Sequence, residues 1–441
     1  MLKNKSGLKI ISLVLSLIIV AGLSAACGGG GSNAPSSQAP ASQAPSSQAP
    51  ASQAPGSQAP SAQAPGASAS AQPDETIEKQ MLKIGIITAF SGASARSAET
   101  QLLGMQVALN QIAESGFSKY YDFDLIIGDD MDDATEAVAV ANKLVYQDGI
   151  KVAFGHLSTA VSLAGLTVYE EAKIPTFVPS SSAYLAMVQN RYKYAYQSEI
   201  PANLPAIALV DYLVKDVGIT KMGMLYVNNE GGQAGLKLIE DALAMHGLKL
   251  AAGESYAFAD TDYTGQMLSF KAAGCEAVAV WAGTAATRPT AVAQARQLIG
   301  PDVIVCGDTV FSGSSFVSAT QPEERAGVVY PVAWSPAFTD DMSQRYIKEF
   351  IELDPLSQTP STTTVRFYDA MYLLATALNN LGPYDVNAPD FTDKLNDSIR
   401  NSSFQGLMGL LKPDEFGLCV TQVCVVRYNS QGVEELLVVN D

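Results

Sequence analysis

The stretch MLKIGIITAFSGASARSAETQLLGMQVALNQIAESGFSKYYDFDLIIGDD, residues 81–130, sets the architecture. Its opening, MLKIGIITAF, is dense in β-branched side chains and reads as a buried strand. After SGASARS comes AETQLLGMQVALNQIAESG (98–116). There Leu102, Met105, Leu109 and Ile112 share one helical face, and Gly116 stands as a stop. FDLIIGDD (123–130) is a second strand. Strand, helix, strand in this order is a βαβ unit, with parallel strands covered by a helix.

The alternation continues downstream. DATEAVAVANKLVYQDG (133–149) reads as a helix, IKVAFGHL (150–157) as a strand, 159–172 as a helix and 174–178 as a strand. After a break near residue 200 come KMGMLYVN (221–228), AVAVWAG (277–283) and VIVCGD (303–308). The predicted class is α/β, with doubly wound parallel sheets. About 360 residues exceed what one such sheet carries, so two lobes are expected.

Upstream of residue 81 the character changes. Lys3, Lys5 and Lys9 precede an apolar run from Ile10 to Val20, and the small residues Ala21, Gly22, Ser24, Ala25 and Ala26 follow. That run is shorter than the ~20 residues a spanning helix needs, so residues 1–26 read as an export signal. Small residues before Cys27 resemble the lipobox of bacterial lipoproteins, with one departure: Leu23 lies four residues before the cysteine and Ser24 takes the place where leucine is preferred. The resemblance implies a lipid on the Cys27 thiol. From Gly28 to about Gln80, QAP recurs every fifth residue between 38 and 65. Such a segment buries too little apolar surface to offset chain entropy, and its prolines block helix. It is expected to be a tether (residues 27–80) with a reach between about 40 and 160 Å, suited to crossing a Gram-positive type of cell wall.

Composition excludes several functions. A net charge of −17 argues against nucleic-acid binding. His156 and His246 are the only histidines, and no C-x-x-C pair exists, so a zinc site, a haem and a His-dependent triad lack their residues. No cofactor or metal is expected. Cys275, Cys306, Cys419 and Cys424 read as buried free thiols. If LCVTQVCVVRY is one strand, Cys419 and Cys424 sit about 17 Å apart on opposite faces.

Ligands of open parallel sheets bind beyond the carboxyl ends of the strands. Ser158 and Thr159 follow the strand 150–157, and Pro179, Ser180, Ser181 and Ser182 follow the strand 174–178. Each cluster joins hydroxyls to the free N–H groups of a helix N-terminus, an arrangement that suits a carboxylate and equally serves as ordinary helix capping. Asp308 ends the strand 303–308, placed either to accept from an ammonium or to cap a turn.

These segments together resemble the branched-chain amino-acid-binding proteins of ABC transporters, in the type 1 periplasmic-binding-protein fold. The resemblance runs from about Leu82 to about Asn429. It is carried by IGIITAFSG (84–92), DDMDDATEAVAVANKLVYQDGIKVAFGHLST (129–159), IPTFVPSSSA (174–183) and RFYDAMYLLATAL (366–378). It implies two lobes joined by three crossings near residues 200, 329 and 405, with lobe 1 at about 81–200 and 329–405 and lobe 2 at about 201–328 and 406–441. It places a ligand's carboxylate on Thr159 and Ser182, and its ammonium on the Ser180 carbonyl and on Asp308, with Thr309 aligning as well as Asp308. Where the family often sets aromatic residues, this chain has Ser97, Glu230 or Gly231, and Thr284. The implied side-chain pocket is therefore roomier or more polar than one built for leucine. Arg288 or Arg366 would supply a cation if the ligand carried a second acid group; the more ordinary reading of each is a surface or structural arginine.

The function implied is capture of an amino acid or related small molecule by hinge closure and its delivery to an ABC permease in the membrane. A sensor or adhesin of the same fold is the alternative, and a lipid-anchored hydrolase is a further one. The hydrolase lacks a G-x-S-x-G elbow, and His156, in FGHLST, is the one histidine placed near the site.

Overall fold

The computed structural model describes residues 78–180, 183–257, 259–281, 287–354, 359–419 and 422–440. The expected export signal, Cys27 and the expected tether as far as residue 77 lie outside them, as do Ser181, Ser182 and Thr284; Gln80, expected to end the tether, opens the first strand.

The chain opens with β1 (Gln80–Thr88), α1 (Ala95–Ser115), β2 (Tyr121–Asp129), α2 (Ala134–Lys143), β3 (Val152–Gly155), α3 (Thr159–Glu171), β4 (Thr176–Val178), α4 (Ala183–Asn190) and β5 (Ala195–Gln197). The strands form one parallel sheet in the order β2-β1-β3-β4-β5. Both faces are covered, which explains the near-continuous apolar run of β1. Leu82, Ile84 and Ile86 pack with Met105, Val107 and Ile112 of α1. Ile87 turns the other way, towards Ala141, Leu144 and Val168. Gly116 ends α1 in the left-handed conformation at φ 64°.

The second lobe follows: α5 (Asn203–Asp211), β6 (Met222–Val227), α6 (Glu230–Met245), β7 (Ala252–Tyr256), α7 (Thr264–Ala273), β8 (Ala277–Trp281), α8 (Thr287–Leu298), β9 (Ile304–Gly307), the short α9 (Ser314–Ser318) and α10 (Pro322–Arg325), and β10 (Val329–Val332). The chain then returns to the first lobe as α11 (Asp341–Leu353), α12 (Thr362–Leu381) and α13 (Phe391–Arg400). Phe367 of α12 meets Phe154 of β3 edge to face, and Phe391 of α13 meets Tyr121 of β2. A hairpin of β11 (Phe404–Gly406) and β12 (Gly409–Leu411) precedes β13 (Val423–Tyr428) and β14 (Glu434–Asn440). The second sheet runs β14-β13-β10-β9-β8-β6-β7. Its core is parallel, and β13 and β14 add to it antiparallel.

Two boundaries differ from the sequence-based ones. β10 pairs with β9 and β13, so residues 329–332 belong to lobe 2 and the second crossing is 333–340. The β11–β12 hairpin is tied to lobe 1, because both carboxylate oxygens of Asp369 on α12 accept from Leu407 N and Met408 N at 2.8 and 2.7 Å. The third crossing is therefore 412–422 rather than near 405.

The crossings lie side by side. Gln197, at the end of β5, donates to the Gly417 carbonyl at 2.7 Å and accepts from Cys419 N at 3.1 Å. Gln422 Nε2 donates to the Ala333 carbonyl at 3.2 Å. β13 begins at Val423, so LCVTQVCVVRY is not one strand, and Cys419 belongs to the third crossing. Cys275, Cys306, Cys419 and Cys424 are all buried free thiols.

Candidate functional site

At the carboxyl edge of the first sheet, two turns face each other. Ser158 precedes α3 in an extended conformation, and its hydroxyl makes no capping bond to its own helix. Thr159 Oγ1 lies 2.8 Å from Ser180 Oγ, so the loop after β3 and the loop after β4 are joined by their hydroxyls. Ser180 also accepts Ala183 N on its carbonyl at 3.2 Å, which starts α4 and leaves the oxygen one further lone pair. The N-terminal turns of α3 and α4 thus open onto one place, with hydroxyls not spent on their own helices. That is a frame for an anionic oxygen. Ser181 and Ser182, also expected here, lie outside the described residues.

Beneath the first loop sits a buried network. His156 and Asp130 are each 1% exposed, and His156 Nδ1 lies 2.6 Å from Asp130 Oδ2. Tyr169 Oη reaches His156 Nε2 at 3.4 Å, and the His156 carbonyl accepts from Ser162 Oγ at 3.0 Å. Burial and the Asp130 charge push the Tyr169 hydroxyl well above its usual pKa. Gly165 makes room for the imidazole, since a Cβ there would fall 2.2 Å from Nε2. With Asp130 on one ring nitrogen and Tyr169 on the other, the buried His156 holds the first loop in place.

Arg366 of α12 ties the second loop to the hinge. Its Nη1 donates to the Pro179 carbonyl at 3.1 Å, and its Nη2 pairs with Glu199 in the first crossing. Burial pushes the Glu199 carboxyl above its ordinary range, opposed by Arg366 and by the Ile200 N–H. As a cation Arg366 is thus already matched.

In the second lobe Asp308 also ends a strand, as the sequence implied. Its Oδ1 accepts from Arg288 Nη2 at 2.7 Å and from Val310 N at 3.2 Å. Arg288 is fully buried, over the Phe311 ring at 5.4 Å. A guanidinium there requires a counter-charge, and Asp308 supplies it. The structure therefore brings together two residues that the sequence placed separately, and gives Arg288 a structural role. Thr309 opens the short turn that follows, its carbonyl accepting from Ser312 Oγ.

Ser97 lies half-buried in the first turn of α1, its carbonyl accepting from Thr100 Oγ1 at 3.0 Å. Glu230 opens α6 behind Asn229, which caps Gly232 N at 2.9 Å; the side chain of Glu230 and the whole of Thr284 are outside the described residues. Sequence reasoning missed Gln197, Ser198 and Glu199, all 0–2% exposed at the first crossing. The signal was the polar run QSE directly before Ile200 and Pro201, in the break near residue 200.

A cavity of about 450 Å³ lies elsewhere in lobe 2, lined by Val217, Ile219, Cys275, Glu276, Val303 and Ile304. These residues lead into β6, β8 and β9, so the cavity opens at the amino ends of the strands. That edge is opposite the strand carboxyl ends and helix N-termini that suit an anionic ligand.

Comparison with known proteins agrees with this architecture. A leucine-, isoleucine-, valine-, threonine- and alanine-binding protein of Pseudomonas aeruginosa is 22% identical over 343 residues, covering 76% of this chain and 86% of that one. A branched-chain amino acid transporter substrate-binding protein of Streptococcus pneumoniae, solved with isoleucine, superposes with a TM-score of 0.69 at 19% identity, over 81% of this chain and 99% of that one. A solute-binding protein of an ABC transporter from R. palustris, solved with benzoate, also gives 0.69, at 16% identity over 82% and 96% of the two chains. The model of the family described as periplasmic binding protein matches residues 81–432. The two-lobed α/β fold, the loops at its strand ends and that match over most of the chain place this protein in the periplasmic binding protein family, among the extracytoplasmic solute-binding proteins of the branched-chain amino-acid type.

Proposed function

We propose that this chain is the lipid-anchored receptor of an ABC transporter, capturing an amino acid or a related small carboxylate between its lobes and delivering it to a membrane permease. The observation that carries the reading is the meeting of Thr159 and Ser180 across two helix N-termini. In this reading the solute's carboxylate is held by Ser158, Thr159, Ser180, Ser181 and Ser182. Its ammonium meets the Ser180 carbonyl and Asp308. Ser97, Glu230 and Thr284 border the side-chain pocket.

Capture proceeds by hinge closure. The ligand docks on the first lobe, the second lobe swings about the three crossings, and the closed form is presented to the permease. Arg366 supports this coupling, because one guanidinium touches both the second ligand loop and the first crossing. The lipid on Cys27 and the tether keep the receptor near its permease, since two acyl chains hold a protein on a membrane where one does not.

A thermal-shift screen of amino acids and small carboxylates tests the reading, because a ligand that binds only the folded state raises its melting temperature. A clear rise with at least one of them is expected. A flat response to every compound would sink the substrate class. Cys27→Ser is expected to release the protein from the cell surface into the medium; retention on the membrane would refute the anchor.

A further inference from the structure

We infer that the first lobe carries a neutral polar subsite beneath the ligand loops, so that the amino acid held ends its side chain in a hydroxyl or a carboxamide. This rests on the proposed function, in which an amino acid occupies the cleft.

The subsite is assembled from side chains on one face of one sheet. Along β1, Ile84 and Ile86 pack towards α1 and α12, and by the two-residue period of a strand Thr88 faces the same way. Thr88 is 1% exposed and its Oγ1 has no partner. At the other flank Tyr196 of β5 belongs to the same core, and two residues on Ser198 is fully buried with its Oγ unpaired.

Helices α1 and α12 pack together on this face of the sheet. Gly104 lets the helices touch there, since a Cβ would fall 1.8 Å from the Thr364 carbonyl. One turn before Gly104 stands Gln101, fully buried, with neither its Oε1 nor its Nε2 bonded. Thr362, in the first turn of α12, has an unpaired buried Oγ1. One turn further, Arg366 uses its terminal nitrogens on Pro179 and Glu199 and leaves Nε unpaired.

Buried polar atoms are nearly always hydrogen-bonded, and each exception calls for an explanation. Here such atoms on five side chains belong to elements at the carboxyl edge of the first lobe's sheet, the edge that also carries the Thr159 and Ser180 loops. A solute group entering from the cleft would satisfy them. Ser97 stands one turn before Gln101 on the same helical face.

The chemistry of the layer selects the group. Glu199 cancels the Arg366 charge, so a second acid or base on the solute finds no counter-charge. Gln101 offers both donor and acceptor, Arg366 Nε donates, and the hydroxyls do either. A carboxamide or hydroxyl complements this set, whereas an aliphatic side chain would seal it in unsatisfied.

Titration calorimetry of the full chain with L-glutamine, L-asparagine, L-threonine, L-leucine and L-isoleucine tests the inference, on the unaltered protein, Gln101→Leu and Thr362→Val. One of the three polar amino acids is expected to bind at least about tenfold tighter than leucine. Gln101→Leu should erase that preference and raise the melting temperature without ligand, because it removes unsatisfied polar atoms. Thr362→Val, close to isosteric, gives the same readout with little packing risk. Tightest binding of leucine or isoleucine, or a preference unchanged in both variants, overturns the subsite and leaves the amino-acid reading intact. If none of the five binds, the amino-acid reading falls and the subsite falls with it.

Discussion

The Arg366 guanidinium pairs with the Glu199 carboxylate where the first crossing leaves the first sheet, and both side chains are buried. Removing one partner leaves a charge in the interior, a loss of about 3–5 kcal/mol, whereas replacing both by apolar residues of similar volume is far less costly. Arg366→Leu alone is expected to lower stability by that amount, and the double replacement with Glu199→Leu to recover most of it. Chemical denaturation of the three variants measures the difference. Equal losses in the single and double variants would contradict the pairing.

Asp308 carries the same logic in the second lobe. Asp308→Ala removes the carboxylate that pairs with the buried Arg288 guanidinium, so its first effect should be a loss of stability and only its second a loss of ligand affinity. Thr159→Val spares the fold and should weaken a carboxylate ligand by about 1–3 kcal/mol. Melting curves with and without ligand separate the two. A Thr159→Val protein that melts far below the parent would count against its assignment to the ligand.

Gly165→Ala drives a methyl group into the His156 ring. The imidazole has to move, and the Ser158–Thr159 loop two residues on moves with it. A loss of about 1–3 kcal/mol in stability is expected, together with weaker ligand binding. Unchanged affinity would show that the His156–Asp130 network supports the sheet alone.

Asp369 sets a pH dependence. Burial pushes its carboxyl up to about 7, against the bonds from Leu407 and Met408 N–H. A carboxyl with a folded pKa above its unfolded one holds extra protons in the native state. Its contribution is full below the ordinary carboxylate range and is lost as pH rises through about 7. A tenfold difference in proton affinity between the folded and unfolded chain is worth about 1.4 kcal/mol. The unaltered protein should lose stability relative to Asp369→Asn between about pH 4 and 7, and parallel melting profiles across that range would refute it.

What the sequence revealed follows from how local each signal was. Strand β1, helix α1 and its stop at Gly116 are written in contiguous residues, and the strand-end loops at Ser158–Thr159 and Ser180 follow from them. β10 was not legible as part of lobe 2, because Val329–Val332 is short and its partner β13 lies far along the chain. The Arg288–Asp308 pair was hidden for the same reason: the two residues stand on different elements and meet only in the folded lobe. Gln101 and Thr362 are buried where α1 and α12 pack on the first sheet, a contact between segments far apart in the chain.

Capture of a small carboxylate by the two hydroxyl loops stands or falls on calorimetric titration of the full chain and of Thr159→Val with the best ligand from the thermal screen. Saturable binding to the unaltered protein is expected, with about a tenfold or greater loss in the variant. Equal affinity in both, with the variant folded, would show that the loops do not hold the ligand.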